Sequence, residues 1–112
     1  MKFEVSTIPN FDRQFKKLAK KFPSLKVDIY NLAISLSQNP EQGNALGNDC
    51  YEVRMAIRSK GKGKPGGARV ITCLQVIATK VYLLSIYDKS EKESISDKDL
   101  GELLEQIPTE DA

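Results

Sequence analysis

Histidine is absent from the 112 residues, and cysteine occurs only as Cys50 and Cys73, with no CxxC spacing. Without imidazole a tetrahedral zinc site would have to rest on carboxylates, and these do not cluster, so neither a metal nor a cofactor is expected. The two cysteines read as small buried hydrophobes, with a disulfide or redox pair as the alternative. No apolar run is long enough to span a bilayer, and Met1-Lys2-Phe3 leads straight into strand-like sequence, so a soluble, cytoplasmic protein without a membrane partner is expected. A further absence is local: from Val53 to Tyr87 there is no acidic residue at all.

That acid-free stretch holds Arg54, Arg58, Lys60, Lys62, Lys64, Arg69 and Lys80, most of them around the turn Ser59-Lys60-Gly61-Lys62-Gly63-Lys64-Pro65-Gly66-Gly67. The net charge of +2 hides this, because the rest of the chain carries ten basic and fifteen acidic residues, a remainder of −5. Mixed charge keeps a protein in solution equally well, so a segregated positive field points to an anionic partner. At 40% hydrophobic and 29% charged, 112 residues suit one compact domain with one core, residues 1–112.

Along the chain, Lys2 to Ser6 alternates like a strand, and Pro9-Asn10 opens a helix with Phe11, Phe15, Leu18, Ala19 and Phe22 on one stripe. Pro23-Ser24 breaks it. Leu25, Ile29, Leu32, Ala33 and Leu36 repeat the spacing until Asn39-Pro40, giving a helical hairpin. Glu41 to Asp49 reads as a loop. Tyr51, Val53, Met55 and Ile57 then alternate with Glu52, Arg54, Ala56 and Arg58, and strands over Ala68 to Ile77 and Lys80 to Tyr87 follow. Ser96-x-x-Asp99 resembles a capping box before a short helix carrying Leu100, Leu103, Leu104 and Ile107. The expected fold class is therefore α+β: a small, mainly antiparallel sheet of about four strands with a mixed edge, an N-terminal helical hairpin on one face and a short C-terminal helix.

Gly61-x-Gly63-x-x-Gly66 has dinucleotide-binding spacing, but it leads into a strand, where the motif needs a helix N-terminus. A Walker motif fails because Gly67 stands where lysine is required. What remains is a glycine-rich hairpin loop with three lysines. It is expected to be mobile, with its backbone free to follow a phosphate chain.

Several features in order resemble the RelE-like toxins of bacterial type II toxin–antitoxin systems, in their HigB-like branch. These are Phe11-x-x-x-Phe15-Lys16-Lys17-Leu18, Asn39-Pro40, Val53-Arg54, the lysine and glycine loop running into Gly67-Ala68-Arg69-Val70-Ile71, and Leu83-Leu84-x-Ile86-Tyr87-x-Lys89. The resemblance implies an endoribonuclease that cuts messenger RNA, usually in the ribosomal A site, inhibits translation and is neutralised by a cognate antitoxin protein. By position it implies Arg69, Arg54 and Lys89 as catalytic residues, with Arg58, Lys60, Lys62, Lys64 and Lys92 binding RNA. The sequence departs from the family pattern at Glu52, Ser90 and Ser96.

Metal-independent RNA cleavage needs a base for the 2′-hydroxyl, positive charge for the phosphorane and an acid for the departing 5′-oxygen. A lysine crowded by other cations loses its proton more readily, so Lys89 or a loop lysine is expected to move protons while Arg54 and Arg69 hold the phosphate. A salt bridge from Arg69 to Glu52 or Asp88 is the structural alternative. Two other readings stay open: a ParE-like gyrase poison and a non-enzymatic RNA-binding module.

Overall fold

The computed structural model describes residues 2–92 and 94–108. Five strands and three helices form in the order β1 (Glu4–Thr7), α1 (Pro9–Lys21), α2 (Leu25–Gln38), β2 (Asn44–Gly47), β3 (Cys50–Met55), β4 (Ala68–Gln75), β5 (Lys80–Asp88) and α3 (Asp97–Leu104). They make one sheet ordered β1-β5-β4-β3-β2, antiparallel except where β1 joins β5 in parallel. The α+β class, the helical hairpin and the C-terminal helix are as the sequence implies. The additional strand, β2, lies in the segment that reads as a loop. Asn48 and Asp49, with φ of 54° and 60°, make the two-residue turn that folds β2 onto β3.

Local chemistry accounts for the helix ends. Pro9 occupies the first turn of α1, where its missing N–H costs nothing. The Ser96 hydroxyl accepts a hydrogen bond from the Asp99 amide at 3.1 Å and so caps α3. Ser24 stands at the N-cap position of α2 but does not cap it. Its hydroxyl donates to Asp28 Oδ2 at 2.7 Å and accepts from the Ser59 amide at 2.8 Å. Asp28, almost fully buried, also accepts from the Arg58 amide at 3.1 Å. The start of α2 therefore grips the start of the basic loop, which opens with a single 3-10 turn over Arg58–Lys60.

Phe11, Leu18, Leu25 and Leu36 from the hairpin join Val53, Val70, Leu83 and Ile86 from the sheet in one buried core. Because β1 runs out at the pairing of Thr7 with Leu83, the outer edge of β5 beyond it has no strand partner among the described residues. Helix α1 supplies the missing bonds. Asn10 Nδ2 donates to the Leu84 carbonyl at 3.0 Å, and Gln14 Oε1 accepts from the Ile86 amide at 3.0 Å and the Ser85 hydroxyl at 2.8 Å. Changing Gln14 to alanine strands the Ile86 amide, and urea denaturation is expected to show a loss of about 1 to 3 kcal/mol. An unchanged midpoint would mean that the edge is satisfied in some other way.

Candidate functional site

Register decides which side chains meet. Across the three central strands Arg54 stands opposite Arg69, and Arg69 opposite Tyr87, so these three form one row on one face of the sheet. Glu52 lies two residues before Arg54 on the same face. Two arginines directly opposite would repel, and Glu52 on the diagonal answers the charge: its Oε1 lies 3.6 Å from Arg69 Nε.

Arg69 does not meet the expectation of a free phosphate-binding group. Its side chain is 2% exposed. Beyond the ion pair, its guanidinium donates to the carbonyls of Lys64 at 3.1 Å, Pro65 at 3.1 Å and Ala68 at 3.2 Å. The planar fork is spent on backbone oxygens lying in directions that the single ammonium of a lysine would not reach together. It pulls the far half of the basic loop down onto the sheet, so the loop backbone is not uncommitted as the glycine content implies. The Gly67 amide also bonds the Lys64 carbonyl at 3.3 Å, and the Lys89 amide bonds the Gly67 carbonyl at 3.0 Å.

Lys60 is likewise not the free RNA contact that its place in the loop implies. Its Nζ sits 2.6 Å from Asp88 Oδ1, with the two side chains 14% and 1% exposed, and 5.9 Å from the centre of the Phe22 ring. Burial pushes the Asp88 carboxyl up, but the Lys60 ammonium and the Ser90 amide outweigh it and hold it below its ordinary value of 3.8. A depressed carboxylate contributes stability that is complete above that ordinary value and fades as pH falls through the lowered one. Urea midpoints are expected to drop with acid below pH 3.8. In Asp88→Asn that acid-dependent component should shrink, with about 2 to 4 kcal/mol lost at neutral pH because Lys60 is left unpaired. Parallel pH profiles for the two proteins would remove Asp88 from the account.

The other expected cations divide by position. Arg54, Arg58, Lys62 and Lys64 are exposed. Arg54 and Lys64 line a polar hollow of about 380 Å³ together with Glu52, Val53, Gln42, Gly43 and Asn44. Lys92, with 40% of its side chain exposed, lies 4.0 Å from Asp99 and 5.1 Å from the centre of the Tyr87 ring. Lys89 is half-buried just beyond β5 and does not line the hollow.

One residue not among the expected catalytic set lines the hollow, Glu52, and Tyr87 stands at the buried end of the same row. Glu52 is the carboxylate in the hollow. Tyr87 is 7% exposed, and its hydroxyl has no hydrogen-bond partner among the described residues. Burial, with some help from the Glu52 charge and against that of Arg69, pushes the phenol up to about 12, so it keeps its proton at neutral pH. The period-two spacing of Glu52 and Arg54 carries the signal for Glu52. Tyr87 requires the β4–β5 register.

Gly43 makes the hollow fit. Its φ is +103°, and a Cβ there would lie 2.6 Å from the Glu52 carbonyl, so only glycine lets β2 enter this close to β3. Among the described residues no group of three or more His, Cys, Asp or Glu is placed to hold a metal, and no helix is long and apolar enough to cross a membrane.

No family model matches the sequence. Solved structures do match the fold. A free-state E. coli toxin RelE carrying two arginine-to-alanine substitutions superposes with a TM-score of 0.64 at 13% identity, covering 96% of this chain and 100% of that one. A chain of the intact E. coli RelBE toxin–antitoxin complex gives 0.58 at 13% identity, covering 77% of this chain and 95% of that one. With the whole of the E. coli toxin spanned by a sheet and helices in the same arrangement, this chain has the RelE fold.

Proposed function

We propose that this chain is the toxin of a type II toxin–antitoxin pair: an endoribonuclease that cuts messenger RNA without a metal, on the ribosome, and so inhibits translation in the cytoplasm. Its lysine-rich loop favours the HigB-like branch, and the likeness to a chain of the RelBE complex favours a cognate antitoxin as protein partner. The observation that carries the reading is a single hollow in which an acceptor, Glu52, faces two exposed cations, Arg54 and Lys64.

RNA cleavage maps onto that arrangement. The Glu52 carboxylate takes the proton from the ribose 2′-hydroxyl, the role first assigned to Lys89 or a loop lysine. Arg54 and Lys64 offset the charge that builds on the phosphorane oxygens. Lys64 also supplies the proton for the departing 5′-oxygen, since the Tyr87 hydroxyl is buried and does not line the hollow. Arg69 becomes a positioning residue that fixes Glu52 and the Lys64 backbone, while Arg58, Lys62, Lys89 and Lys92 are assigned to the RNA backbone around the cut.

Induction in a bacterial host followed by primer extension on bulk transcripts tests the proposal. Growth arrest with discrete cuts within codons, relieved by a neighbouring antitoxin gene, is the expected result. Intact messages with a DNA-damage response would replace it with a gyrase poison, and harmless expression would leave an RNA-binding module. Arg54→Ala is expected to slow cleavage about a hundredfold while the protein keeps its melting temperature, as for loss of one preorganised donor.

A further inference from the structure

Cys50 and Cys73 are the two cysteines of the chain, and they stand directly opposite each other on β3 and β4. The Leu74 amide bonds the Asp49 carbonyl at 2.8 Å, so the ladder's hydrogen bonds flank this pair instead of joining it. Such non-hydrogen-bonded pairs bring their Cα atoms to about 4.5 Å and their side chains closest together. That separation falls within the roughly 4.4–6.8 Å that a disulfide spans.

The sulfurs are held as a pair. Both residues are buried, at 0% and 1% exposure, and both thiols lie against one backbone carbonyl. Sγ of Cys50 lies 3.5 Å and Sγ of Cys73 3.9 Å from the Asn48 carbonyl, and Gln75 Nε2 donates to Cys73 Sγ at 3.4 Å. The arrangement is asymmetric. The neighbouring Cys50 thiol and the Gln75 amide, against burial, draw the Cys73 thiol down, while the Cys73 thiol and burial push Cys50 up. One sulfur is prepared as the nucleophile and the other waits beside it.

We propose that Cys50 and Cys73 are a reversible disulfide site that hydroperoxides close. Neither sulfur reaches the surface, which selects a small oxidant over a bulky disulfide. The Cys73 thiolate attacks one peroxide oxygen, the O–O bond breaks, and hydroxide leaves with the electron pair, giving a sulfenic acid on Cys73. The Cys50 sulfur, losing its proton, then attacks the Cys73 sulfur and expels its hydroxyl as water. Two thiols and one hydrogen peroxide become one disulfide and two waters, two electrons passing from sulfur to oxygen. The bridge staples the arm 51–72, which carries Arg54, the basic loop and Arg69. It stands on the strand pairing and the sulfur contacts and does not depend on the RNA reading.

The reduced full-length chain is treated with hydrogen peroxide, unfolded in an alkylating agent, and weighed intact. Closure removes two hydrogens from the mass, leaves no thiol to alkylate and is undone by dithiothreitol. The cross-link restrains the unfolded chain, so the oxidised protein should melt about 10 °C higher than the reduced one, reversibly. Two alkylated thiols, added oxygen atoms without a bridge, a cross-linked dimer, or a bridged monomer that melts lower would each overturn the proposal.

Discussion

Glu52→Gln is expected to cut messenger-RNA cleavage in a translating extract by a factor of about 10² to 10⁴, the usual contribution of a positioned general base. The substitution is nearly isosteric, and its amide oxygen can still receive the Arg69 Nε–H that the carboxylate now faces at 3.6 Å. Fold and loop should therefore persist, and affinity for an RNA made uncleavable by a 2′-deoxyribose should stay near that of the parent. A loss of cleavage with both retained assigns the proton transfer to Glu52. Cleavage at the parent rate returns the task to a lysine, and a fallen melting temperature would show that Glu52 matters to Arg69 more than to RNA.

Gly67→Ala is expected to cost about 3 kcal/mol or more, at the severe end for an added methyl group. A Cβ at Gly67 would stand 2.2 Å from the Met55 carbonyl and 2.9 Å from both the Ala56 Cα and the Ile57 amide, all of them backbone atoms that no rotamer change can move. Its carbonyl also receives the Lys89 amide, so displacing it pulls at the end of β5 as well. At this chain length the melting temperature should fall by more than about 10 °C. Gly101→Ala provides the contrast: it lies in α3 with open space around its Cβ, and a gain of roughly 0.5 to 1 kcal/mol is expected there from helix propensity. If both variants melt alike, the close approach at Gly67 is not what fixes the loop.

The elements were largely legible in the sequence because each obeys a local rule. Apolar spacing and Pro9 mark α1, Asn39-Pro40 closes α2, and the alternation from Tyr51 to Met55 marks β3. The strand Asn44–Gly47 was not legible, since Ala45 and Leu46 are its only apolar residues between a glycine and a turn. The site was legible in composition and, through the alternative of a salt bridge from Arg69 to Glu52, in one of its pairings, but not in that of Lys60 with Asp88. Glu52 and Asp88 are the two acids immediately flanking the acid-free stretch, and they are the ones that engage Arg69 and Lys60. Distance along the chain concealed the Asp88 pair. Arg69 spends its remaining donors on carbonyls at Lys64, Pro65 and Ala68, which leave no trace in a side-chain pattern.

The parallel seam between Glu4 and Lys80 sets the order in which the chain can be completed. During synthesis the first strand has nothing to dock on until the last one has been made, and Phe11, Leu18, Leu25 and Leu36 wait without their platform. Contacts this remote in sequence slow folding and prolong the exposure of apolar surface. Nascent fragments that stop before residue 80 should therefore bind chaperones and resist refolding, and the cation-lined hollow gains its finished sheet only once the last strand has been made.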